Sequence, residues 1–211
     1  MKRLLSLLFV LALALPLVAP TVAQDAKPYT ILKSYNSITI VWNQDPTFFR
    51  MEFPGNNIRR SIHGTCGIWV GDAFYDINVV DPSSFDGGEL SGAELLRAHM
   101  QHEVTTWQEE AKTEMPLTEI SATDEKALWE IEWSKKARKA MKDRKLAASV
   151  VKNLYLSAVI GDRLIVLNRP LMKNEDENEA YAYLEGLAES MQVSEEEINV
   201  GRVQRELLRR Q

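Results

Sequence analysis

The chain has 211 residues, 45% of them hydrophobic, with 25 Lys and Arg against 30 Asp and Glu for a formal net charge of −5. That length supports one core of ordinary size, and the acidic balance gives no overall attraction to the phosphates of nucleic acid. The single cysteine, Cys66, rules out an intrachain disulfide, so packing alone must hold the fold.

Lys2 and Arg3 precede an apolar run from Leu4 to Leu15 that only Ser6 interrupts, followed by Pro16 and by small residues at Thr21 and Ala23. This is the layout of a secretory signal peptide over residues 1–23, with cleavage expected after Ala23. The run falls short of the roughly 20 residues of a spanning helix, so a retained anchor is the weaker expectation. No cysteine ends the leader to carry a lipid, and the expected product is a free periplasmic or secreted protein. Removing the leader takes away two of the 25 basic residues and no acidic ones, so the remainder carries 23 minus 30, or −7.

Beyond a polar lead-in over Gln24 to Tyr29, Ile38, Ile40 and Trp42 alternate as in a strand, and Phe49, Met51 and Phe53 do so again after the Asp45-Pro46 turn. Arg60 to Val70 and Ala73 to Val80 read as a hairpin around Gly71-Asp72. A turn-rich loop then leads to Ser91-Gly92-Ala93-Glu94, a capping-box spacing that opens a helix with Leu96, Met100, Val104, Trp107 and Ala111 on one stripe. Leu117 to Ala122 and Ala127 to Trp133 form a second expected hairpin, with Trp129, Ile131 and Trp133 on one face and Glu130 and Glu132 on the other. Ser149 to Ile160 and Arg163 to Asn168 form a third around Gly161-Asp162.

A second helix is expected over Asp176 to Met191, with Ala180, Leu184, Leu187 and Met191 inward, lying on the same sheet. Ser194 to Glu197 repeats the capping-box spacing and opens a peripheral charged tail helix over 194–211, with Ile198, Val203 and Leu207 as its weak stripe. Hairpin-length connections force antiparallel neighbours. The expected fold is therefore α+β: a single domain over 24–193, built as an antiparallel sheet of hairpins flanked by two main helices, with a C-terminal helical tail. In this order of elements, from paired strands through the Leu95 to Ala111 helix to the Gly161-Asp162 hairpin and closing helix, the chain resembles the PsbP/Mog1/DcrB-like group. The resemblance covers about Tyr29 to Met191 and implies accessory, assembly or binding work without a shared active site.

Few constellations carry chemistry. His99, His102 and Glu103 share a helix at spacings that can direct ligands to one divalent metal, with His63 as the remaining imidazole. The stripe puts His102 away from the core and His99 at its boundary. His63 and Cys66 could pair as an activated thiol, but three residues apart on a strand they project to opposite faces, and an inert buried Cys66 is expected. Ser149-Val150-Val151-Lys152 matches the S-x-x-K nucleophile motif in a strand context that does not suit it. Trp129 and Trp133 could stack on a sugar, but two helices need a covered sheet face, so they are expected in the core. No cofactor motif is present.

The sharpest local anomaly is basic. Lys135, Lys136, Arg138, Lys139, Lys142, Arg144 and Lys145 stand against Asp143 alone, either as a solvated hairpin extension or as a contact surface. The expectation is a monomeric, non-enzymatic binding or accessory protein of the bacterial envelope. It would use this segment on an envelope protein or anionic surface, with peripheral membrane contact, no nucleic acid and no cofactor. The alternatives are a metal-assisted hydrolase built on His99 and His102, and an immunity-type inhibitor of a secreted toxin.

Overall fold

The computed structural model describes residues 27–55, 57–61, 66–140 and 149–210, so the leader, His63, Lys142, Arg144 and Lys145 lie outside the described residues. Strands β1 (Tyr29–Lys33), β2 (Ser37–Gln44), β3 (Thr47–Pro54) and the late β11 (Gln192–Ser194) form a small antiparallel sheet in the order β1-β2-β3-β11. The larger sheet contains β4 (Ile58–Arg60), β5 (Cys66–Val70), β6 (Ala73–Val80), β7 (Leu117–Ala122), β8 (Lys126–Glu132), β9 (Val150–Ile160) and β10 (Arg163–Met172). Its order is β4-β5-β6-β10-β9-β8-β7, all antiparallel. Helices α1 (Gly92–Ala111), α2 (Lys135–Ala140), α3 (Glu177–Ser190) and α4 (Val200–Arg209) complete the α+β fold.

The strand patterns explain this layering. On β3, Phe49, Met51 and Phe53 are fully buried and alternate with half-buried partners, while β2 is covered on both faces. Ile38, Ile40 and Trp42 join Phe49, Met51 and Phe53 in a core shared with Ile68, Ile77, Leu154 and Leu167 of the large sheet and with Leu184 and Leu187 of α3. On the opposite face of the large sheet, Leu96, Met100 and Val104 of α1 pack on Trp129, Ile131 and Tyr155. Outside the small sheet, Val203 and Leu207 of α4 close over Leu32 and Val41. The order of layers is α4, small sheet, large sheet with α3, and then α1 with α2.

The hairpin turns fall at Gly71 and Gly161, where φ of +59° and +57° suits glycine. Several boundaries differ from the pattern-based expectation. The hairpins divide between two sheets, and α3 packs on the face of the large sheet away from α1. β1 begins at Tyr29, inside what reads as the end of a lead-in, and it pairs Tyr29 with Trp42. Arg60 to Val70 is not one strand: Ile58 pairs with Val70 and Arg60 with Ile68, so the chain reverses between β4 and β5. Ser194 caps nothing helical. Asn199 takes that place, its side chain accepting from the Arg202 amide, and Asp176 does the same for α3.

Glu130 faces away from Trp129 as alternation requires, yet it is only 6% exposed because α3 covers that side. Lys152 Nζ donates to Glu130 Oε1 at 2.9 Å and to Glu177 Oε1 at 2.8 Å, and the Tyr181 hydroxyl donates to Glu130 Oε2. Burial alone would lower the Lys152 pKa, but its bonds to Glu177 and Glu130 outweigh that and raise it. Burial followed by the Glu130 contact likewise raises Tyr181. Removing the lysine leaves the enclosed Glu130 carboxylate without its cation, while Glu177 still faces water. Lys152→Met is expected to lower unfolding stability by about 2–3 kcal/mol, less than a fully enclosed pair would lose, as measured by urea denaturation.

Candidate functional site

Two places gather the residues that sequence reasoning singled out. The first lies between α1 and the large sheet. A four-residue spacing puts His99, Glu103 and Trp107 in one row on α1, above Trp129 and Tyr155, whose rings stack at 4.0 Å and 6°. His99 is 1% exposed, so it sits inside the core rather than at its boundary, whereas His102 faces solvent as the stripe requires. The correction arises because Phe85, from the 3-10 turn Pro82–Phe85, reaches across and meets both imidazoles, at 5.4 Å and 5.6 Å.

Among the described residues neither ring nitrogen of His99 has a hydrogen-bond partner, and its Nε2 is 3.8 Å from Glu103 Oε1. Burial, with a smaller contribution from His102, pushes the His99 pKa down to about 4. Burial raises Glu103, against the opposing pull of His102 and Trp107. Deeper in, Trp107 Nε1 donates to the Tyr155 hydroxyl at 2.8 Å, Asn153 Nδ2 donates to the same oxygen at 3.3 Å, and Trp129 Nε1 donates to Ser157 Oγ at 3.0 Å. Burial and the Glu103 charge both raise the Tyr155 pKa. Sequence reasoning missed Asn153 and Ser157, although two polar residues four apart in the apolar run of β9 mark one strand face.

This arrangement holds a neutral imidazole and binds helix to sheet. Among the described residues no three of His, Cys, Asp and Glu gather as a metal site would require. Cys66 is fully buried, and burial followed by the Asp76 charge raises its thiol to about 12, far from a nucleophile at neutral pH. Trp129 and Trp133 are core residues at 0% and 4% exposure, so neither offers a stacking platform. Lys152 of the S-x-x-K match lies on a strand and is held by Glu130 and Glu177.

The second place is α2. Ser134 caps it, its Oγ accepting from the Ala137 amide at 3.1 Å, and the buried Ala137 anchors it beside α1. Arg138 Nη1 turns back to the Trp133 carbonyl at 3.1 Å, and Trp133 meets Trp107 edge to face at 5.2 Å. That leaves Lys135, Lys136 and Lys139 exposed, and none of them has a carboxylate partner among the described residues. The start of the basic segment is thus an ordered helix rather than a hairpin extension.

No family model and no curated protein matches the chain. Among solved structures it is similar to the solution structure of cyanobacterial PsbP (CyanoP) from Synechocystis sp. PCC 6803, at 10% identity, over 75% of this chain and 93% of that chain, with a TM-score of 0.47. No helix among the described residues is long and apolar enough to cross a membrane.

His99 makes stability depend on pH in a defined window. Its folded pKa lies below the unfolded value of 6.5, so the unfolded chain binds the proton first. Stability is fully present above about pH 6.5 and is lost as pH falls toward the folded value of about 4. The displacement corresponds to about 3 kcal/mol, offset in part by Glu103, whose raised pKa favours the folded state on acidification. Urea midpoints measured from pH 7 to pH 4 are expected to fall for the parent protein, and His99→Leu is expected to flatten that slope.

Proposed function

We propose that the protein is an exported, non-enzymatic accessory protein of the bacterial envelope that binds an acidic partner protein through α2. The observation that carries this reading is the set of three exposed lysines on α2, without ion-pair partners among the described residues, on a chain whose net charge is negative. Ser134, Ala137 and Arg138 fix the helix against the α1 layer, so the lysines are presented on a rigid base. No large apolar side chain is exposed on α2, which suits a contact made by charge and sensitive to salt. The inward, unpartnered His99 and the inert Cys66 support binding over catalysis.

Export is supported by the leader over residues 1–23. Mass spectrometry of the protein recovered from the envelope fraction is expected to find an N-terminus at Gln24; a full-length cytoplasmic product would refute export.

For α2 the probe is poly-L-glutamate, a defined acidic polypeptide. The parent protein is expected to bind it with an affinity that declines steeply from about 50 to 300 mM salt. Replacing all three lysines, Lys135→Gln, Lys136→Gln and Lys139→Gln, is expected to weaken binding about tenfold or more with the thermal midpoint unchanged. Equal affinity in the triple variant would remove α2 as the contact surface.

A further inference from the structure

The other outer layer carries a basic surface of a different kind. On α4, Val203 and Leu207 point inward, so Arg202, Arg205, Leu208 and Arg209 point outward. From Val200 to Arg210 the chain has four arginines and one glutamate, a balance of 4 − 1 = +3 on a protein that is −5 as a whole. Glu206 is already engaged by Arg50 at 2.9 Å and by Arg202 at 3.4 Å, and Arg210 reaches Glu52 at 3.4 Å. Arg205 and Arg209 have no carboxylate partner among the described residues.

Among the described residues the exposed large hydrophobic side chains are Tyr35, Leu90, Ile120, Val193 and Leu208, and three of these belong to the small sheet or α4. Tyr35 stands 92% exposed at the turn between β1 and β2, and Leu208 is 59% exposed on the last turn of α4. The two elements meet around a cavity of about 410 Å³ lined by Ser34, Tyr35, Asn36, Glu52, Leu207 and Arg210. An exposed leucine with two arginines that lack carboxylate partners among the described residues, and a fully displayed tyrosine across the cavity from Leu207 and Arg210 at the same end of the helix, is the composition of a surface that rests in a lipid headgroup layer. The arginines meet phosphates while the leucine and the tyrosine ring enter the acyl boundary. α2 differs in having the charge without the apolar side chains.

We propose that the C-terminal end of α4, together with Tyr35, is a peripheral docking surface for an anionic lipid bilayer. Charge complementarity selects anionic headgroups, and the exposed Leu208 and Tyr35 select a bilayer over a soluble acidic polymer, which has no apolar interior to receive them. The surface is independent of α2 and adds a second contact to the function proposed above.

The test is co-sedimentation of the purified protein with vesicles of phosphatidylcholine alone or mixed with phosphatidylglycerol. Retention is expected on the mixed vesicles only. It is expected to fall about tenfold or more in the double variant Arg205→Gln, Arg209→Gln, and severalfold in Leu208→Ser and in Tyr35→Ser. Circular dichroism is expected to show an unchanged helical signal in each. The α2 triple variant is expected to bind vesicles as the parent does. Absence of binding to anionic vesicles at low salt would overturn the inference, as would equal binding by the α4 variants. Loss of vesicle binding in the α2 variant alone would overturn it as well. If the α4 variants lose poly-L-glutamate binding while vesicles are ignored by every form, the occupant is an acidic protein and the bilayer assignment fails.

Discussion

The large sheet is apolar on both faces, and most of the architecture follows from covering it twice. Along β9, Leu154, Leu156 and Ile160 face the small sheet and α3, while Val150, Tyr155 and Val159 face α1. A sheet of this kind reads as a continuous hydrophobic strand and cannot leave either side to water. One helix, α1, suffices for the β7-β8-β9 side of one face. The other face needs more area than α3 provides, and the N-terminal strands β1 to β3 supply it as a second sheet. That sheet then has an outer face of its own, which α4 closes through Val203 and Leu207. The chain returns after α3 to add β11 beside β3 before it enters α4, so both ends of the fold are committed to the small sheet.

Double coverage traps polar groups, and the protein treats them in contrasting ways. Glu130 is enclosed by α3 but keeps a partner on each oxygen, Lys152 on Oε1 and the Tyr181 hydroxyl on Oε2. Arg169 is enclosed on the same face, bonded to Glu175 at 3.0 Å and lying over the Tyr75 ring at 5.6 Å. Its Nε and Nη1 are without acceptors among the described residues. His99, on the opposite face, has no acceptor or donor for either nitrogen among the described residues, and burial resolves the conflict by keeping the ring neutral. The Glu130 carboxylate and the Arg169 guanidinium on the α3 side are thus held in ion pairs, while the His99 imidazole under α1 is tolerated as an uncharged ring.

The period-two alternation of β3 and the glycine turns at Gly71 and Gly161 were legible because each is a local signal with one structural solution. The class of fold and the existence of α1, α3 and α4 followed from the same kind of evidence. Legibility failed where the determinant is contact between distant segments. Alternation correctly places Glu130 opposite Trp129, but only α3 makes that position a buried one. The stripe of α1 puts His99 at its edge, and a 3-10 turn some fifteen residues earlier in sequence pulls it inside. Two capping-box patterns were present, yet Ser91 makes no side-chain cap bond and Ser194 ends a strand, because spacing alone cannot say where β11 stops. For the candidate contact surfaces, sequence gave the charge density of α2 but not that Ala137 and Arg138 order its first turn. It also gave no warning that the weak stripe of α4 would leave Arg205, Leu208 and Arg209 together on the outside.

The layer order constrains how the two basic helices can work. α2 belongs to the layer on the far side of the large sheet and α4 to the layer outside the small sheet, so two packed sheets, each pair of layers about 10 Å apart, stand between them. Their exposed charges face away from each other. One flat surface cannot touch both, and neither can neutralise the other within the molecule, since the separation exceeds the roughly 8 Å screening length at physiological salt. A single extended basic face would serve one partner with greater avidity, whereas opposed faces can only serve two. The chemistry of the helices agrees with that division: bare lysines on a short helix at one pole, arginines interleaved with exposed apolar side chains at the other. Under the two contacts proposed above, each pole would engage its own partner through surface charge, without a cleft.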